Sequence, residues 1–524
     1  METQAQPQTG HPRRWAILGV LVISLLVVVL DNTVLNVAMR TIADPDRGLG
    51  ATQSELEWSI NSYTLVFAGL LFTAGILADR WGRRLSLIAG LIVFGIASLI
   101  SAYATSPDQL IGARALMGLG AAAVMPATLS IISNVFDPRE RPRAIGVWAG
   151  AVGLAVAIGP VLGGVLLEHF WWGSVFLINV PIVIAGVALA AVLVPESRDP
   201  RPGRIDVIGV LLSIVGLTLL TYGVIKGGED GFGHLAAWST LAAGILIMVA
   251  FVFWERRVAY PSLDVRLFLN RQFSASTGII GLVFFAAMGA MFFGAFYLQM
   301  VRGYGPLASG ALFVPFALGQ LIFAPASASM VKRFGPRAVS TVGLLLVAGS
   351  LAIWTFIGVD TPIALVAVAF FVQGVGMANV MPPATEAIMA TLPREKAGVG
   401  SAVSNTIRQL GGALGVAVLG AVVSSVYRDH LTAPAGLPAD VVETARESIA
   451  GAYAVAGQAG PAAPALLDVA NASFVTAMHY AAIGSTVFAL LGAVVAVLWL
   501  PGKRRSEPVV PTTAGEPDRE LAGA

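Results

Sequence analysis

The chain has 524 residues, of which 56% are hydrophobic and only 12% charged, with a mean hydropathy of +0.80. Soluble domains carry about a quarter of their residues as charges, so this composition excludes an ordinary globular enzyme and a disordered chain alike and specifies a membrane protein. The 32 basic and 30 acidic residues include no block able to hold a polyphosphate, which argues against a nucleic-acid partner, and the lack of cysteine removes thiol catalysis, disulfides and thiolate metal sites.

Fourteen apolar stretches are long enough to cross a hydrocarbon core of about 30 Å. In chain order they cover 15–39, 57–78, 84–104, 108–135, 143–167, 174–194, 206–226, 236–254, 275–300, 306–331, 337–358, 362–391, 398–426 and 474–500. Runs such as 15–30 do not alternate as barrel strands do, so the spans are read as helices. The first follows Arg13 and Arg14 in the manner of a signal peptide, but Asp31 and Asn32 interrupt its far end and no small-residue cleavage site follows, which predicts a retained helix. With the N-terminus inside, 24 basic residues fall in cytoplasmic segments and six in outer loops. That asymmetry predicts a multi-pass protein of the cell membrane with both termini cytoplasmic.

The chain repeats itself. GLGAAAVMP at 118–126 matches GVGMANVMP at 374–382, PRER at 138–141 matches PREK at 393–396, and RWGRR at 80–84 matches RFGPR at 333–337, with offsets of 253 to 256. Each echo lies on the same side of the membrane as its partner, so the reading is an all-α fold of two pseudo-symmetric six-helix bundles of like orientation. The expected organisation is an N-terminal tail at 1–14, a first bundle at 15–194 and a linker at 195–272 that carries two inserted helices at 206–226 and 236–254. A second bundle at 273–500 and a C-terminal tail at 501–524 follow. The segment 427–473 reads as a partly helical outer loop, a tolerated linker.

Polar residues inside the spans are few. Asp31, Asn32 and Asn36 share one face of the first helix, within about 140° of arc. A charge at the bilayer centre costs about 2.5–3.5 kcal/mol and so should face a cavity or a partner. The fifth helix carries small residues at Gly153, Ala157, Pro160 and Gly164, a stripe suited to close packing. The segment GILADRWGRRLSL at 75–87 joins turn-permitting Gly75 and Gly82 to a knot of Asp79, Arg80, Arg83 and Arg84 at the cytoplasmic surface.

That last segment resembles the G-x-L-a-D-r-x-G-r-r loop of the major facilitator superfamily, which is read there as a latch of the outward-open state. LDNTVLNVAM at 30–39 is similar to the first-helix signature of the superfamily's fourteen-helix drug:proton antiporters, although Met39 and Arg40 stand where Leu and Pro are usual. LIGARALMGLGAA at 110–122 looks like their proton-linked fourth-helix motif, and IGPVLGG at 158–164, with Gly159, Pro160, Gly163 and Gly164, like their antiporter motif. FLINVP at 176–181 also fits, while the arginine usual before it is replaced by Gly173. The 397–420 segment resembles the thirteenth-helix signature. Trp58 and Tyr63 match a W-x-x-x-x-Y pattern, and equally the aromatic belt of a helix end.

The resemblance implies proton-coupled efflux of hydrophobic or cationic compounds by alternating access, driven by the proton gradient, with membrane lipid as surroundings and without cofactor, metal or enzymatic activity. Four charges lie inside spans: Asp31, Arg114, Glu386 and Arg408. At the repeat offset Arg114 corresponds to Phe370 and Glu386 to Ser130, so each charge serves one half only. Asp31 with Arg114 is expected to handle the proton, and Glu386 with Arg408 to form a gate or cavity-floor pair. A fixed structural Asp–Arg pair is the competing reading. An exporter dedicated to one self-made antibiotic or lipid, and a membrane sensor or channel, are the alternative functions.

Overall fold

The computed structural model describes residues 10–44, 47–51, 53–198, 206–229, 234–261, 263–393, 396–434 and 436–502. Within its helices the side chains at 36, 40, 43, 53, 54, 57, 156, 157, 160, 228, 229, 306 and 307 lie outside the described set. The expected roles of the Asn36, Ala157 and Pro160 side chains, the two tails beyond 10 and 502, and the linker stretch 199–205 therefore fall outside it as well.

Among the described residues every regular element is helical: α1 (Arg14–Ala43), α2 (Gln53–Trp81), α3 (Arg83–Ala102), α4 (Pro107–Val135), α5 (Arg141–His169), α6 (Ser174–Leu177), α7 (Asn179–Leu193), α8 (Val207–Glu229), α9 (Leu235–Glu255), α10 (Arg271–Phe296), α11 (Pro306–Ala311), α12 (Val314–Phe334), α13 (Pro336–Trp354), α14 (Ile363–Ala390), α15 (Ala397–His430), α16 (Ala439–Glu447), α17 (Ile449–Val455) and α18 (Ala463–Trp499). Helices satisfy their own backbone donors and acceptors, which a hydrocarbon solvent demands. Among the described residues, 13 segments are long and apolar enough to span a membrane, and the 29-residue α5, outside those 13, packs on α1 and α12.

The internal repeat is legible in backbone contacts. Gly82 and Gly335 both take positive φ, 129° and 86°, and turn α2 into α3 and α12 into α13 in the same way. A Cβ built on Gly90 would meet the carbonyl of Gly120 at 2.8 Å, and one on Gly343 would meet that of Gly376 at 2.9 Å. Likewise Gly118 presses on the carbonyl of Tyr63, and Gly374 on that of Phe316. Pro126 in α4 and Pro382 in α14 occupy matching places inside their helices.

Two hydrophobic cores result. One is built from α1–α7, and the other from α10 and α12–α18 together with residues of α8 and α9 and Phe72 of α2. They join along two related seams, α2 against α15 and α5 against α12. At the first, a Cβ on Gly75 would lie 2.6 Å from the carbonyl of Gly398; at the second, one on Gly146 would lie 2.4 Å from that of Ala324. Of the inserted pair, α8 leans on α2 and α15, and α9 packs on α8.

The 427–473 segment is more than a linker. It continues α15, forms α16 and α17, and begins α18 eleven residues ahead of the expected span. Val441, Ala445, Ile449 and Ala452 are buried, Tyr427 donates its hydroxyl to the carbonyl of Ala445 at 3.0 Å, and Tyr453 donates to that of Met300 at 2.7 Å. Its apolar residues recur at helical spacing on short helices, so they dock on α15, on α18 and on the turn Tyr297–Val301 that follows α10 instead of remaining in solvent.

Candidate functional site

In the first bundle, α1, α3, α4 and α7 converge on one acid. Asp31, 2% exposed, is ion-paired with fully buried Arg114. Arg114 spends its remaining donors on the carbonyl of Ser59 at 3.2 Å and on Asn32 Oδ1 at 3.2 Å, and its guanidinium lies 4.5 Å from the Tyr63 ring centre. The second carboxylate oxygen of Asp31 accepts a hydrogen bond from Asn179 Nδ2 at 3.0 Å, and the same amide reaches Ser98 Oγ at 3.0 Å. A buried charge is tolerable only when paired and hydrogen-bonded, and here both conditions hold. Asn179 belongs to the FLINVP segment noted in the sequence, but nothing local marked it as a partner of Asp31, 148 residues away.

Trp58 is not part of this cluster. It stands against Tyr222 of α8, with ring centres 6.2 Å apart, while Tyr63, one and a half turns on, faces Arg114. At the position related to Arg114 the second bundle places Phe370, packed 5.5 Å from Trp354 and 4.6 Å from Phe313. An aromatic cluster thus replaces the ion pair.

The 75–87 segment was expected as a charged knot at the surface. Instead Asp79 and Arg83 are buried, 6% and 2% exposed. Asp79 Oδ1 accepts from Arg83 at 2.8 Å, from Ser130 at 3.3 Å and from the Gly398 N–H at 3.0 Å, and Oδ2 accepts from the Val399 N–H at 3.2 Å. The carboxylate of one bundle therefore caps the N-terminus of α15 in the other, where the helix dipole favours negative charge. Gly75 and Gly398 make this possible because any side chain at either would hold the helices apart. Arg84 faces Glu196, which also accepts the N–H groups of Arg84 and Leu85 at 3.1 and 3.2 Å and so caps α3. Arg80 is half-buried.

Small residues of α5 bring it close to two neighbours. A Cβ built on Gly153 would lie 2.8 Å from Gln320 of α12, whereas one on Gly159 would lie 1.8 Å from Thr33 Oγ1 and one on Gly163 3.2 Å from Val34, both on α1. Gly164 is half-buried.

Glu386 and Arg408, expected as a pair, have separate partners. The opposite charge acting on Glu386 is Arg141, at the start of α5 in the other bundle. Arg141 is itself buried, and the sequence suggested only a loop anchor there. Arg408 donates to Asn405 Oδ1 at 2.5 Å, contacts Met125 Sδ at 3.7 Å, and lies 5.6 and 5.7 Å from the ring centres of Trp148 and Phe284. Among the described residues no carboxylate forms an ion pair with it.

Two repeated six-helix bundles, closed on each other by a helix-capping carboxylate and carrying a buried acid–base cluster in one half, define a secondary membrane transporter. The chain belongs to the Major Facilitator Superfamily, whose family model matches residues 21–416. It is 38% identical to the multidrug efflux pump LfrA of Mycolicibacterium smegmatis, over 92% of this chain and 95% of that one. It is 34% identical to the tetracenomycin C resistance and export protein of Streptomyces glaucescens, over 98% and 97%. Among solved structures it is similar in fold to the human organic anion transporter MFSD10, with a TM-score of 0.60 at 15% identity over 93% of this chain and all of that one. A bacterial homologue of the human lysosomal transporter Spinster, inward-facing and unoccupied, aligns with a TM-score of 0.56 at 18% identity, over 93% and 97%.

Proposed function

We propose that this protein exports toxic hydrophobic or cationic compounds across the cell membrane in exchange for protons, with both termini in the cytoplasm. The bundles at 15–194 and 273–500 rock against each other, with the inserted pair riding on the α2–α15 seam. The observation that carries the reading is the Asp31–Arg114–Asn179 cluster, a titratable acid inside the membrane that exists in one half only. Protonation of Asp31 dissolves its attraction for Arg114, while Arg114 keeps the Ser59 carbonyl and Asn32 as acceptors, so the pair can open without stranding the cation. The multidrug efflux and antibiotic export named for the relatives support the substrate class. A membrane potential supplies about 2.3 kcal/mol per net charge moved per 100 mV, enough to export a neutral compound, or a cation exchanged for more than one proton, against a gradient of more than tenfold.

Adding a lipophilic cationic dye to energised inverted vesicles is expected to release protons from the lumen. Dye accumulation without proton release, or undiminished coupling in Asp31→Asn, removes the antiport reading. The likeness to a tetracenomycin C exporter supports a second reading, a pump dedicated to one self-made antibiotic. Growth tests against unrelated toxic compounds separate the two, because a multidrug pump alone protects broadly.

A further inference from the structure

Arg114 and Arg408 are both buried deep in the membrane, yet among the described residues only Arg114 has a carboxylate for a partner. Arg408 is 7% exposed and lies eleven residues beyond Ala397, ~17 Å into α15. It stands where the bundles meet. Met125 of α4 and Trp148 of α5 reach it from the first bundle, and Phe284 of α10 and Asn405 from the second. The Trp148 ring is fixed by its own bond to Thr128 Oγ1 at 3.1 Å. Of the guanidinium nitrogens, Nη2 alone is used, on Asn405 and Met125. Nε and Nη1 make no hydrogen bond among the described residues, and neither is sealed off, because both keep accessible surface.

A guanidinium stays charged in a protein, and an uncompensated charge at this depth is costly. The two rings offset part of that cost, but a neutral amide oxygen and a thioether cancel none of the charge. The partner that Arg408 lacks is therefore an anion, and its open donors leave room for one that comes and goes. A hydrated inorganic ion would give up its whole shell against Trp148, Phe284 and Met125. An organic acid instead lays an apolar body on those walls and needs partners for its carboxylate only, a group that guanidinium donors fit well.

We propose that Arg408 anchors the carboxylate of an amphiphilic aromatic acid between the bundles, with the acid's ring on the apolar walls beside it. The proposal rests on the export reading and widens its substrate class from neutral and cationic compounds to organic acids. The position suits such a role, since transporter substrates bind near the midplane where the repeats meet. A bound acid cancels the charge of Arg408, so the bundles rock around a neutral pair instead of a bare cation.

The probes are 2-naphthoate and 2-naphthamide, which share a ring and differ in charge. Their binding to the full-length protein in phosphatidylcholine nanodiscs is measured by equilibrium dialysis. The acid is expected to bind about tenfold to hundredfold tighter than the amide, the range for a buried bond to a charged group. In Arg408→Gln the two affinities should converge, and Arg408→Lys, which keeps the charge without the planar fork, should retain an intermediate preference. Gly278→Ala, away from the site, should bind both probes like the parent. Equal affinities in the parent, which need no variant to fold, overturn the proposal, as does an undiminished preference in Arg408→Gln. Loss of the preference on adding chloride at constant ionic strength, or phosphatidylglycerol, assigns the site to an inorganic ion or a lipid headgroup and overturns it too. Proton release driven by a cationic dye reports export by itself. A missing acid preference beside intact release therefore removes this proposal alone, and missing release beside an intact preference removes the antiport reading alone.

Discussion

The carboxylate of Asp79, in the last turn of α2, accepts the backbone N–H of Gly398 at 3.0 Å in the first turn of α15. A charge of the first bundle thereby holds a helix terminus of the second, and Arg83 and Ser130 hold the charge in place. Closure of this face rests on an interaction that is strong only while the acid is ionised and the two helices touch.

Asp79→Asn keeps the shape of the side chain and removes the charge. It should shift the bundles toward the open arrangement by about tenfold, within the range for a charge-assisted bond at a helix end. Because the chain has no cysteine, Ser133→Cys supplies a single buried thiol about one turn beyond Ser130, outside the hydrogen bonds of the latch. Its maleimide labelling should be slow in the parent and about tenfold faster with Asp79→Asn. Equal rates would separate Asp79 from the closure.

Breaking a buried ion pair by removing one partner costs about 3–5 kcal/mol, whereas removing both costs far less. Asp31→Asn should therefore lower thermal stability, and Arg114→Gln added to it should restore much of the loss. Proton release should remain absent in the double variant. Recovery of proton release along with stability would reduce the pair to a packing device.

The glycine contacts predict a sharp contrast among conservative changes. Gly146→Ala and Gly159→Ala drive a methyl into backbone or side-chain atoms at 2.4 and 1.8 Å, and should each cost about 1–3 kcal/mol and most transport activity. Gly278→Ala, in α10 with no atom within 4 Å of the added Cβ, should be neutral or slightly stabilising. Melting curves and dye-efflux rates measured side by side test both halves of the statement.

Glu386 on α14 and Arg141 on α5 place opposite charges on the two bundles. Glu386→Gln should slow the export of cationic dyes more than that of neutral compounds, because it leaves Arg141 uncompensated near their path. Exchanging the two residues, Glu386→Arg with Arg141→Glu, should recover part of the lost rate. An unchanged cation-to-neutral ratio in Glu386→Gln would remove its part in selectivity.

Much of this molecule was legible in one dimension. A bilayer excludes charge and unpaired backbone, so spans of apolar residues mark the helices, the echoes at 253–256 mark the duplication, and intramembrane charges such as Asp31 and Arg114 are conspicuous by their rarity. Which side chains meet across the fold was another matter. Asp31 finds Arg114 over 83 residues and Asn179 over 148, and Asp79 finds Gly398 over 319. Those meetings depend on how each helix is rotated and where the bundles cross, quantities that hydropathy and local spacing do not encode. For that reason tertiary packing alone decided that Asp79 is buried and not at the surface, that Glu386 answers to Arg141 while Arg408 turns to Asn405, and that Trp58 serves the inserted helix.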